Sequence, residues 1–145
     1  TFFEHLQQKQ DLAQLTVAQD IYQWAKEHSL LIEWSKNSKF PAFFINLEYK
    51  GKKFKPIEVL AATSVDESNA IIQINFAELK NKPPFEDESK RMKLLYRLND
   101  IRGIHLPETK IDGYPSIHLS SLKEQMVLTA FLDTIDWVIR EIKST

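Results

Sequence analysis

A chain of 145 residues with 43% hydrophobic and 11% aromatic side chains can build one packed core, and 27% charged residues is too ordinary for disorder. The formal charge of −1 excludes a protein that coats nucleic acid wholesale, and the lack of cysteine excludes disulfides, thiol catalysis and thiolate metal sites. No apolar run approaches the roughly 18 residues of a membrane span, and the expected location is the cytoplasm.

The first residue is threonine, which fits a chain that was processed, trimmed or cut from something longer. Residues 1–15 carry four glutamines and a loose apolar set, Phe2, Phe3, Leu6, Leu12 and Leu15, and read as a frayed leading helix or the stub of a linker. A single domain is expected over 16–145. Thr16 with Gln19 three positions on matches a capping box, in which each side chain satisfies a free backbone donor at a helix start. Val17, Ile21, Trp24, Ala25 and His28 recur at helical spacing and predict a helix ending near Ser29.

Between Leu30 and Leu79 the period changes to two. LLIEW predicts a short strand, and AFFINLEY alternates, with Phe43, Ile45, Leu47 and Tyr49 on one face and Phe44, Asn46 and Glu48 on the other. Lys50-Gly51 supplies a tight turn, because glycine accepts backbone angles that side chains resist. The return strand KFKPIEVLAA holds Pro56, which cannot donate to a ladder and marks an edge or a bulge. SVDESN is a polar turn, and AIIQINFAEL alternates again as a fourth strand.

Pro83-Pro84 stops the sheet. Glu86, Asp87 and Glu88 put negative charge at the positive end of a helix whose stripe is Leu94, Leu95, Leu98 and Ile101, with Gly103 as its stop. Residues 104–120 are loop-like, with two short Ile-His-Leu pieces, and Ser121 with Glu124 makes a second capping box. The final helix has Leu128, Phe131, Leu132, Ile135, Val138, Ile139 and Ile142 at helical spacing, and must dock on the sheet or on a partner. Trp137 lies off that stripe, where it either widens the core face or anchors a partner. The fold class is therefore α+β: a two-layer sandwich in the order α-β-β-β-β-α-α, its four-stranded, mainly antiparallel sheet covered by helices on one face.

One stretch is electrostatically distinct. Six lysines (Lys36, Lys39, Lys50, Lys52, Lys53, Lys55) are threaded among Phe40, Phe43, Phe44, Tyr49 and Phe54, with Glu48 the only acid among them. Lysines can hold phosphates while exposed rings stack on bases; lysines also simply keep sheet edges from pairing with other chains. Phe43 and Tyr49 share a face with Ile45 and Leu47, so Phe40 and Phe44 are the better candidates for contact. Glu33, Glu48 and Lys50 give a second option: two acids holding a divalent metal with a lysine steadying the attacking water, as in metal-dependent nucleases. His105 and His118, with Glu108 and Asp112 between them, could bind zinc, but their spacing matches no compact ligand motif. With three glycines and no Walker or dinucleotide motif, the chain lacks a phosphate-cradling loop, and no cofactor is implied.

The tract PPFEDESKRMKLLYRLNDIRGIHLPETKIDGYPSIHLSSL, followed by FLDTIDWVIREI, resembles a domain of uncharacterised bacterial proteins with a PPF-acidic helix, a GI-LPE loop, a PSI-L segment and an IDWV--EI helix. The likeness covers about the C-terminal 60 residues, and more weakly AQDIYQWAKE. It implies a neighbourhood of restriction or other DNA-handling modules and carries no catalytic residues. The chain thus reads first as a non-enzymatic binding module that contacts nucleic acid or an acidic protein through Lys36, Lys39, Phe40, Phe44, Lys50, Lys52, Lys53 and Lys55. The alternatives are a protein-interaction or homo-oligomerisation domain and a divergent metal-dependent nuclease.

Overall fold

The structure, a computed structural model, describes residues 2–4, 12–35, 41–61 and 70–145. It is an α+β arrangement of one antiparallel sheet and several helices. In chain order the elements are α1 (Leu12–Glu27), β1 (Leu31–Trp34), β2 (Ala42–Tyr49), β3 (Lys52–Leu60), β4 (Ile71–Ile74), α2 (Phe76–Leu79), α3 (Glu88–Asn99), β5 (Ser116–His118) and α4 (Gln125–Lys143). The sheet is a meander in the order β1-β2-β3-β4-β5, every pair antiparallel.

Five strands, not four, make the sheet, and the order departs from α-β-β-β-β-α-α in two places. β5 lies between the last two long helices and pairs with β4, setting Ile72 opposite Ile117. Only three residues long and bounded by Gly113 and Pro115, it offers too little alternation to be told from a loop. The expected fourth strand also ends early. The Asn75 backbone N–H donates to the Pro56 carbonyl and its side-chain Nδ2 to the Lys55 carbonyl. The chain then turns into α2, whose Phe76 and Leu79 are three residues apart and both buried.

Neither capping box caps a helix. α1 begins at Leu12, so Thr16 lies inside it and its hydroxyl donates to the Leu12 carbonyl. Its buried face is Gln14, Val17, Ala18, Ile21 and Ala25, while Trp24 is half-buried and His28 exposed. Ser121 sits in a 3₁₀ turn, Leu119–Leu122, and Glu124 precedes α4 without a side-chain cap. The cap of α3 is Asp87, which accepts from the Ser89 N–H at 2.9 Å.

The core lies on the sheet face formed by Ile32, Phe43, Ile45, Ile57, Val59, Ile72, Ile74 and Ile117, which fall in register across the strands. All seven stripe residues of α4 are buried, as are Leu94, Leu95, Leu98 and Ile101 from α3 and the region just after it. At about 1.5–3 kcal/mol per side chain, the α4 stripe alone contributes on the order of 10–20 kcal/mol before chain entropy is subtracted. Phe2, 1% exposed, packs edge-to-face on Phe43 at 5.0 Å, and the Gln14 side chain accepts from the Ala70 N–H at 2.7 Å. Both come from the stretch expected to be an extension.

The β2–β3 hairpin is the element that matters for function. Lys50 and Gly51 have φ of 52° and 76°, the pair of positive angles that a two-residue type I′ turn requires. Ile45 pairs with Ile57 but Leu47 with Phe54, so β3 carries one extra residue, and Pro56 sits at that bulge in a central strand. β1 pairs with β2 only as far as Asn46, and β4 pairs with β3 only from Ile57 onward. The hairpin end, residues 47–54, therefore extends past both neighbouring strands.

Candidate functional site at the hairpin end

Alternation and the bulge divide the lysines between the two sides of the hairpin. Lys52 is paired with Tyr49 and shares the helix-covered side with Phe54. Lys53 is paired with Glu48 on the opposite side, where Glu33, Phe44, Asn46 and Glu58 also fall. The lysines accordingly do not make one flat patch; they surround the projecting end.

On the helix side, Lys50, Lys52, Phe54, Tyr49, Pro83 and Thr145 line a hollow of about 240 Å³. Here α4 ends against the hairpin. The Tyr49 hydroxyl donates to the Lys143 carbonyl at 2.8 Å, and Lys50 Nζ donates to the Thr145 carbonyl at 2.7 Å. Lys50 thus neutralises part of the negative end of the α4 dipole. Lys82, absent from the sequence-based set, is brought in by the link between α2 and α3. Its ammonium lies 5.2 Å from the centroid of Phe54 and donates to the Lys53 carbonyl. The Lys52 side chain is exposed and makes no hydrogen bond or ion pair with the described residues.

The opposite side is more nearly neutral. Lys53 Nζ and Glu33 Oε2 are 2.8 Å apart, and Asn46 Nδ2 donates to the same oxygen at 2.8 Å. The Lys53 hydrogen bond holds the Glu33 carboxyl below the usual carboxylate range, with the charges of Lys53 and Lys55 acting the same way. Lys55 lies over the Phe44 ring at 5.1 Å, which makes Phe44 a half-buried seat for an ammonium. Burial pushes the Glu58 carboxyl up, against the pull of Lys55. Lys36, Lys39 and Phe40 lie outside the described residues.

The nuclease arrangement needs Glu33, Glu48 and Lys50 to converge. Instead Glu33 is engaged by Lys53 and Asn46, while Lys50 reaches the end of α4. His105 and His118 are both exposed; Asp112 pairs with Arg91 at 3.0 Å, and Glu108 accepts from the Tyr96 hydroxyl at 3.3 Å. Among the described residues no three His, Asp or Glu side chains gather as a metal site. Trp137 is buried, packed edge-to-face on Phe85 at 5.9 Å.

Sequence reasoning missed Lys82 because nothing local to it signals that Pro83 and Pro84 return the chain to Phe54. It also missed the role of Glu33, because β1 is too short to reveal which acid would face which lysine. No helix among the described residues is long and apolar enough to cross a membrane. Comparison of the chain with protein-family models, with curated proteins and with solved structures gave no match.

Proposed function

We propose that the chain is a non-enzymatic binding module that meets a polyanion, nucleic acid in the first instance, at the projecting end of the β2–β3 hairpin. The observation that carries this reading is the presence of lysines from two distant segments, Lys50, Lys52 and Lys53 with Lys82, around one protruding turn. Ammonium groups on a projecting element reach phosphates without requiring the rest of a nearly neutral molecule to approach them. Phe44 and the undescribed Phe40 belong to the same proposal as flanking contacts. The direct test is a gel shift with short single- and double-stranded DNA and RNA. Lys52→Glu, which breaks no side-chain hydrogen bond among the described residues, is expected to weaken binding at low salt at least ten-fold; unchanged affinity would falsify the proposal.

A second reading, self-association through β1, has one observation in its favour. β1 has a single strand neighbour among the described residues, and its Leu31 and Trp34 are 47% and 45% exposed. A dimer seen by light scattering that persists in high salt and is lost in Leu31→Lys would favour it; a monomer at all concentrations would remove it.

A further inference from the structure

Arg91 and Arg97 stand on the same helix, α3, and have opposite surroundings. Arg91 is engaged at all three nitrogens: it donates to the carbonyls of Ile111, Phe85 and Glu86 and to Asp112 Oδ1. Arg97 has its guanidinium stacked on Trp137 at 4.7 Å from the ring centroid, and its Nε is enclosed without an acceptor. No hydrogen bond or ion pair joins its side chain to any described residue. With Nε enclosed, the two terminal nitrogens are the donors left open, and such a pair can receive a carboxylate.

Arg97 lines a cleft of about 540 Å³ between the C-terminal end of α3 and the first half of α4. That volume is in the range of small-molecule sites, roughly 300–1,000 Å³. Its apolar lining is Ile101, Val127, Ala130 and Met126, the last 86% exposed although it adjoins buried Val127. The rim carries Arg97 and Arg102 together with Asp100, Glu124 and Asp133, and none of these five is in a salt bridge with a described residue. A simple anion would satisfy Arg97 but meet three acids. A simple cation would leave Arg97 unmet and face two arginines.

We infer that this cleft binds a small apolar zwitterion, of the chemistry of a free amino acid with a branched aliphatic side chain. Its carboxylate pairs with the Trp137-stacked Arg97 guanidinium, its ammonium faces the acidic rim, and its hydrocarbon lies on Ile101, Val127 and Ala130. The site is separate from the hairpin end and does not depend on that reading.

The test uses L-leucine, 4-methylpentanoate and isopentylamine, the last two each lacking one of the charges. Titrated into the isotope-labelled 145-residue chain, L-leucine is expected to shift the resonances of Ile101, Val127 and Ala130 saturably at millimolar concentration. Either half-molecule should bind at least ten-fold more weakly. Arg97→Lys keeps the charge but loses the fork and should weaken L-leucine at least ten-fold, and Ala130→Leu should fill the cleft and abolish the shifts while the fold is retained. No saturable shift at the cleft with any probe overturns the site. Equal binding of 4-methylpentanoate overturns the zwitterion.

Discussion

Glu33 and Glu58 share one face of the sheet, opposite the core, and are shifted in opposite directions. Glu33 is drawn down by the Lys53 hydrogen bond, whereas Glu58 is pushed up because burial penalises its charge. A carboxyl with a raised folded-state pKa favours the fold when protonated, and that contribution is lost as pH rises through its folded pKa. Glu58→Gln is therefore expected to stabilise the protein at pH 7, by less than about 1 kcal/mol because the group keeps solvent contact. The gain should vanish in acid, below the ordinary glutamate range, where Glu58 is already neutral; urea unfolding at the two pH values checks it. Arg91 is the larger lever. Replacing it with leucine strips donors from the carbonyls of Phe85, Glu86 and Ile111 and should cost on the order of 3 kcal/mol by urea unfolding. Neither role was legible in the sequence. Arg91 falls among charged neighbours in SKRMK, and its burial depends on loop residues twenty positions away.

At the scale of elements, strands with clean alternation and helices with long stripes were legible, and their ends were not. AFFINLEY is β2 from first residue to last, and the α4 stripe is buried as its spacing demands. The failures share a cause: a two-residue signature such as Thr16/Gln19 or Ser121/Glu124 occurs wherever polar residues cluster, and tertiary contacts decide whether a helix starts there. The Lys50-Gly51 turn is the local feature with a full physical account. An alanine at Gly51 would meet no atom within 4 Å, so the φ of 76° is the only penalty. Gly51→Ala should then cost about 1–2 kcal/mol, read by thermal melting, without displacing the strands. Pro56 correctly marked an irregularity in β3. Its consequence, that Lys52 and Phe54 face the same side as Ile57 and Val59, needed the register with β2.

For the whole molecule, a net charge of −1 means that any attraction for a polyanion must come from where the cations stand. The fold separates charge in this way: the hairpin end projects past β1 and β4 and gathers lysines, while Lys53 is partly neutralised by Glu33 and Lys50 is partly spent on the end of α4. Lys52 consequently carries more of the proposed contact than the six-lysine cluster suggests. The deciding measurement is fluorescence anisotropy of a labelled single-stranded oligonucleotide over a salt series, with the unaltered chain and with Lys52→Glu. Engagement of about three phosphates predicts that the logarithm of affinity falls against the logarithm of salt with a slope near −2, shallower by about 0.7 in the variant. A flat salt dependence, or the same slope in both proteins, would contradict the account.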